Sequence, residues 1–288
     1  MTSTELTTVS NEDLNLLANK AGAKVSEING SGGFLPQLKI NMDDEDSSGN
    51  DIKKGLFYIT EQEETVYAKS VFIRPLLHHY QWTQYDPSEK KTVNKTIFVS
   101  NFREEAIDIK GTVKCGKPAS KTIRADKDLQ EKYKNHNCFR TIHALVSYEG
   151  ETADGKTVKV ENVVALLRLK GSNFSPFDEE VLKTYPKNAN IWDYGMEVTS
   201  ERKKNGSVTF FVMHFKPDYT NRLAVTDDVF DTIKALYERL EAHNDGVRKL
   251  YEKALSGEDD KELEEALNST FKEDVDTLEA DFDEEVDS

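Results

Sequence analysis

The 288-residue chain carries 53 Asp and Glu against 38 Lys and Arg, a net charge of −15, and 37% of it is hydrophobic. That length suits one elaborated domain with appendages, and the lean apolar share points to segments outside the core. The longest unbroken apolar run is Val163–Leu167, and Met1–Ser10 lacks the basic-then-apolar order of a signal peptide, so a membrane helix is excluded and a cytoplasmic protein is expected, with Cys115 and Cys138 as free thiols.

Charge is distributed unevenly along the chain. Residues 258–288 hold 15 Asp and Glu against 2 Lys, whereas residues 51–225 hold 28 Lys and Arg against 23 acids. Residues 1–50 hold 8 acids and 3 bases, and residues 226–257 hold 7 and 5. A mildly basic body therefore carries a strongly acidic tail. Like charges in a block repel and resist compaction, and such blocks serve as interaction tails. A flexible chain of this tail's length spans about 30 Å, enough to reach across a small domain.

In chain order, residues 1–32 read as a polar arm, with a weak helical pattern over Asn11–Lys20. Phe34–Ile40 and Leu56–Thr60 read as strands around an acidic loop, Met42–Lys54. Thr65–Tyr85 is rich in β-branched and aromatic residues, with Pro75 marking a bulge or an edge. Thr96–Val99, Ala106–Ile109, Arg140–Tyr148 and Thr157–Leu169 follow as strands, the last two joined by a turn at Ala153–Lys156. Ile191–Glu201 and Ser207–Lys216 form a hairpin through Arg202–Gly206, where Asn-Gly is the turn signal.

After Thr226 the apolar period changes to three and four. Val229, Phe230, Ile233, Leu236, Tyr237 and Leu240 lie on one face of a helix capped by Thr226. Asn244-Asp-Gly246 is a candidate break before Val247, Leu250, Tyr251, Ala254 and Leu255. The expected fold is mainly β with α additions: a partly closed β-barrel over 33–225, a helical segment at 226–257 and a disordered acidic tail at 258–288.

Candidate enzyme chemistry is thin. Gly111–Pro118 nearly matches a phosphate-binding loop, but Pro118 offers neither a hydroxyl nor an N–H at the last position. Cys115, His136, Cys138 and His143 lack the paired spacing of a zinc site, which leaves metal binding open. His78 and His79 are adjacent, so on a strand they point to opposite faces.

Basic residues interleaved with aromatics make a stronger constellation. Lys69, Arg74, Tyr80, Trp82 and Tyr85 lie in one strand region, Lys110, Lys114, Lys117 and Lys121 follow, and Arg140 opens another strand. Arg168, Lys170 and Phe174 end a further one, and Trp192, Tyr194, Lys203 and Lys204 mark the late hairpin. Cations that neutralise phosphates and rings that stack on bases are the two parts of a single-strand binding surface.

The tail Leu278–Ser288, together with Asp108–Pro118 and Phe139-Arg140, resembles bacteriophage single-stranded DNA-binding proteins with an oligonucleotide-binding barrel and an acidic C-terminal tail, which implies an oligonucleotide-binding-type barrel for 33–225. The resemblance implies a non-enzymatic, sequence-tolerant DNA-binding protein of replication and recombination, in the host cytoplasm and without a cofactor. It implies that Asp281, Phe282, Asp283, Glu284 and Glu285 recruit a polymerase, helicase or primase, and the charge separation along the chain adds the expectation that the tail gates the DNA groove. A β-rich assembly component, self-associating as a homodimer through the 226–255 helix, stays open as the alternative, as does an enzyme acting on nucleic acid.

Overall fold

A computed structural model describes residues 35–270, apart from 47, 48, 61, 63 and 259. The expected N-terminal arm and its helical pattern lie outside the described residues, as do the tail residues Asp281–Glu285.

The strands are β1 (Leu38–Ile40), β2 (Phe57–Ile59), β3 (Val66–Tyr67), β4 (Ser70–Asp86), β5 (Lys91–Lys95), β6 (His136–Thr152), β7 (Thr157–Leu169), β8 (Met196–Asn205) and β9 (Val208–Pro217). The helices are α1 (Ser120–Arg124), α2 (Lys127–Tyr133), α3 (Phe174–Phe177), α4 (Asp227–Ser256) and α5 (Lys261–Thr270). β3 to β9 form one antiparallel sheet of seven strands, and β1 pairs with β2 separately. The large sheet stays open rather than closing into the expected barrel. Its spine is the β4–β6 ladder, which runs from Phe72↔Ser147 to Gln84↔His136.

Pro75 sits where β4 slips register, between Pro75 and Leu77. A proline has no N–H for the ladder, so a bulge accommodates it inside a central strand. The extra residue reverses the alternation of β4. Ile73 before the bulge and His78, Tyr80 and Trp82 after it thus oppose Val146, Ile142, Arg140 and Cys138 on one face of β6.

That face bears the main core. Ile73, Val146, Ile142, Leu167, Met196 and Phe215 pack with Leu38, Phe57 and Ile59 of the β1–β2 pair and with Phe177 and Val181. The opposite face takes α4, where Leu236, Val229 and Ile233 meet Leu76, Leu77, Leu145 and Leu166. Thr226 caps α4 as its sequence predicts, its side chain accepting from the Val229 N–H.

Four expectations shift. Thr96–Val99 and Ala106–Ile109 make isolated bridges, Tyr80↔Val99, Thr96↔Asp108 and Ile107↔Val113, rather than strands. The late hairpin turns at Gly206-Ser207, so Arg202, Lys203 and Lys204 belong to the ladder of β8 and β9 rather than to the loop. Gly206 has φ +55°, a left-handed conformation that glycine adopts without a Cβ clash. The expected break in α4 is absent, because Asn244 and Gly246 are contact residues. The Asn244 amide accepts from the Phe98 N–H at 2.7 Å and donates to the Phe98 carbonyl at 3.1 Å. A Cβ on Gly246 would stand 2.7 Å from Leu267 Cδ2. Finally, the acidic segment begins as helix α5. Its Leu267 is buried with Ile109, Val247 and Leu250, and the Leu267 carbonyl accepts from buried Lys95 Nζ at 2.5 Å.

Among the described residues, no helix is long and apolar enough to cross a membrane.

Asn244→Ala leaves the buried Phe98 N–H and C=O without their partner, which costs about 2 kcal/mol. Urea denaturation of the variant reads that loss, and a change below about 0.5 kcal/mol contradicts the pairing. Burial between the sheet and α4 also pushes His79 down to about 4 and His143 and His243 down to about 3. Each ring binds a proton more readily unfolded than folded, so stability falls as pH drops below about 6.5, at about 1.4 kcal/mol per pH unit for each histidine. Denaturation midpoints at pH 7 and pH 5 check the slope, and equal midpoints contradict it.

Candidate nucleic-acid interface

Nine Lys and Arg stand against three carboxylates over residues 110–140. The rest of the 51–225 body holds 19 bases and 20 acids, so its positive excess comes from this segment alone. The segment forms a loop, then α1 and α2, then the first residues of β6.

The loop is built around Asp108, which has no exposed surface. Asp108 Oδ1 accepts from the N–H groups of Lys110 at 2.9 Å and Thr112 at 3.1 Å. Asp108 Oδ2 accepts from the Cys115 N–H at 2.9 Å and from the Thr112 hydroxyl. Lys114, Cys115 and Gly116 all have positive φ, at 52°, 54° and 66°. Left-handed backbone is unfavourable for non-glycine residues, and the Asp108 bonds offset that cost. The turn that nearly matched a phosphate-binding loop thus already holds an anion, its own carboxylate. Lys110 is left exposed, and Lys114 and Lys117 are half-buried.

These cations gather at the end of the sheet where β6 begins. Lys117 Nζ donates to the His136 carbonyl at 2.5 Å. Burial pushes His136 down to about 4, and the positive charges of Lys117, Lys132 and Lys110 push in the same direction. Burial raises the Cys138 thiol to about 12, against the pull of Lys117, Lys114 and Arg140. A cationic field therefore converges on His136–Arg140. The register Arg140↔Leu169 sets Lys170 at the same end of the sheet, and Lys121 lies on α1.

Beneath the loop is an aromatic cluster. Tyr80 and Trp82 pack with Val99, Ala106 and Cys115, and Phe174 joins them. Tyr80 and Trp82 are 7% and 4% exposed, so these two rings form the floor of the site rather than stacking surfaces. The exposed ring is Phe102, at 45%, which the sequence reading passed over. It lies 5.2 Å from Trp82 and 5.5 Å from Tyr80, centroid to centroid. Lys114 Nζ stands 4.7 Å from the Trp82 centroid and donates to the Phe102 carbonyl at 2.9 Å. A lone ring inside the polar run Ser100–Glu105 was the available signal.

Other candidates have structural partners or lie elsewhere. Arg140 is 2% exposed. It packs against Tyr80, Phe174 and Phe177 and faces Asp178 at 3.4 Å. Arg74 is buried, and its Nε donates to the Trp192 carbonyl at 2.8 Å. Arg168 stacks on Phe139 at 3.9 Å. Tyr194 joins an edge-to-face trio with Tyr185 and Tyr219. Tyr85 is half-buried beside β5. Exposed Lys69 precedes β4, whose first residues pair with β8. Lys203 and Lys204 lie on the hairpin beyond that pairing, and Lys203 bonds Glu201 at 2.7 Å. These three lysines therefore sit at the opposite end of the sheet from His136.

Among the described residues, no three or more His, Cys, Asp or Glu side chains are grouped to hold a metal ion. Cys115 is buried in the aromatic cluster, with its Sγ 3.6 Å from the Trp82 carbonyl, and His143 lies under α4. No protein-family model, curated protein or solved structure matches the chain.

Replacing Lys117 removes one of the cations that hold His136 down. Lys117→Ala raises the His136 pKa from about 4, read by NMR titration of the ring. An unmoved value means that Lys117 does not act on the ring.

Proposed function

We propose that the protein binds single-stranded DNA without strong sequence preference, using the cationic segment 110–140 as its seat. One observation carries this reading: the segment that holds the body's positive excess sets Lys114 over Trp82 and gathers Lys110, Lys117 and Lys132 around His136 at one end of the sheet. Concentrated cations release condensed counterions from a polyanion, which supplies sequence-independent affinity. The seat comprises Lys110, Lys114, Lys117, Lys121, Lys132 and Lys170, while Arg74 and Arg140 maintain the fold. Neither a closed barrel nor a bound cofactor is required, and the role proposed is binding rather than catalysis.

The acidic tail enters the proposal through its root. α5 is docked against Ile109, beside the cationic loop, and residues 271–288 carry nine acids against one Lys. An anionic segment rooted there competes with DNA for the same lysines. It also provides an acidic surface for a replication partner when DNA displaces it. Because Leu267 is part of the core, a cut that removes only the competing charge belongs after residue 270.

Oligonucleotide affinity over a salt series tests both parts. The 1–270 form binds more tightly than the full chain at low salt, and the difference shrinks as salt rises. Equal affinities remove the gate. Replacing Lys110, Lys114 and Lys117 together by Ala lowers the slope of log K against log salt by about 2. An unchanged slope removes the seat. Absence of any salt-dependent binding favours a β-rich assembly component instead.

A further inference from the structure

Exposed phenylalanines are common on protein surfaces, and a single one carries no message by itself. Phe102 differs in how it is held. Its ring rests on three others, Trp82 at 5.2 Å, Tyr80 at 5.5 Å and Phe174 at 6.0 Å. Two of those belong to the central strand β4, so the sheet fixes the platform beneath the ring. The loop itself is closed by Asn101, whose side-chain oxygen accepts from the Arg103 N–H and whose carbonyl accepts from the Glu104 N–H, both at 3.0 Å. Lys114 adds a cation 5.4 Å from the Phe102 centroid. An ammonium has three donors, and the Phe102 carbonyl takes one.

A rigid, half-exposed ring beside a cation has the two features that a nucleotide presents in complement: a flat base and a phosphate. Resting on the proposed DNA-binding reading, we infer that Phe102 and Lys114 form a single-nucleotide seat. An unstacked base lies on the outer face of Phe102, and a neighbouring phosphate meets the Lys114 ammonium. A base inside a duplex is already stacked on both faces, so this seat takes single strands and leaves paired DNA to the weaker, purely cationic contacts. The ring needs no particular base, because every base has a π-face.

The test compares the full chain with Phe102→Ala and Phe102→Trp on three probes: oligo(dT), an abasic oligonucleotide of equal length, and a duplex. The wild type binds oligo(dT) more tightly than the abasic strand. Phe102→Ala weakens oligo(dT) binding about 5- to 150-fold, the range set by loss of one stacked base. It leaves the salt slope unchanged, and it discriminates less between oligo(dT) and the abasic strand. Phe102→Trp retains affinity and shows fluorescence quenching on binding beyond that of the wild type. Salt-dependent binding by the wild type, with Phe102→Ala within twofold of it on oligo(dT), overturns the stacking seat while leaving the cationic reading intact. No binding of any probe by the wild type overturns both.

Discussion

A single buried carboxylate gives the cationic loop its shape. Asp108 accepts from three backbone N–H groups and one hydroxyl of the loop that follows it. Those bonds, with the Lys114 N–H to Ala106 carbonyl bond at 2.7 Å, offset the left-handed backbone of Lys114 and Cys115. With them, Lys110, Lys114 and Lys117 are spread along a fixed turn above Trp82. Mutual repulsion among the lysines disfavours such an arrangement, so a rigid backbone has to hold it.

The larger scaffold serves the same end of the molecule. The long β4–β6 ladder carries Tyr80 and Trp82 to the mouth of the loop. α4 crosses the other face and pins the strand-like segment at Phe98 through the Asn244 amide. α5 then buries Leu267 beside Ile109 and ties its carbonyl to Lys95. Loop, helix and tail root are thus packed into one body. The root of the acidic segment is held beside the loop by this packing.

Much of the fold is legible in the sequence. Runs rich in β-branched and aromatic residues between turn signals mark β4, β6, β7, β8 and β9, and the period of three and four marks α4. Pro75 signals its bulge because a proline leaves a gap in any ladder. The failures have a common cause, tertiary contact overriding local preference. Asn244 and Gly246 resemble a helix stop until Phe98 and Leu267 appear as their partners. The start of the acidic tail resembles a solvated block until Leu267 meets its cavity. Sheet closure depends on which edges meet, and strand patterns carry no information about that.

The candidate site is legible in its charges and obscure in its rings. Lysines stay at the surface almost regardless of fold, so the run from Lys110 to Lys121 identifies itself. Tyr80, Trp82 and Arg140 sit on the inward face of their strands, a fact set by the Pro75 bulge and the cover from the loop. Phe102 lies in a loop, where no periodicity exists to mark it. Hydrogen exchange with and without oligo(dT) addresses the central claim most directly. Protection concentrated in residues 100–136 is the predicted result. Protection confined to the β8–β9 hairpin, with residues 100–136 unaffected, contradicts it.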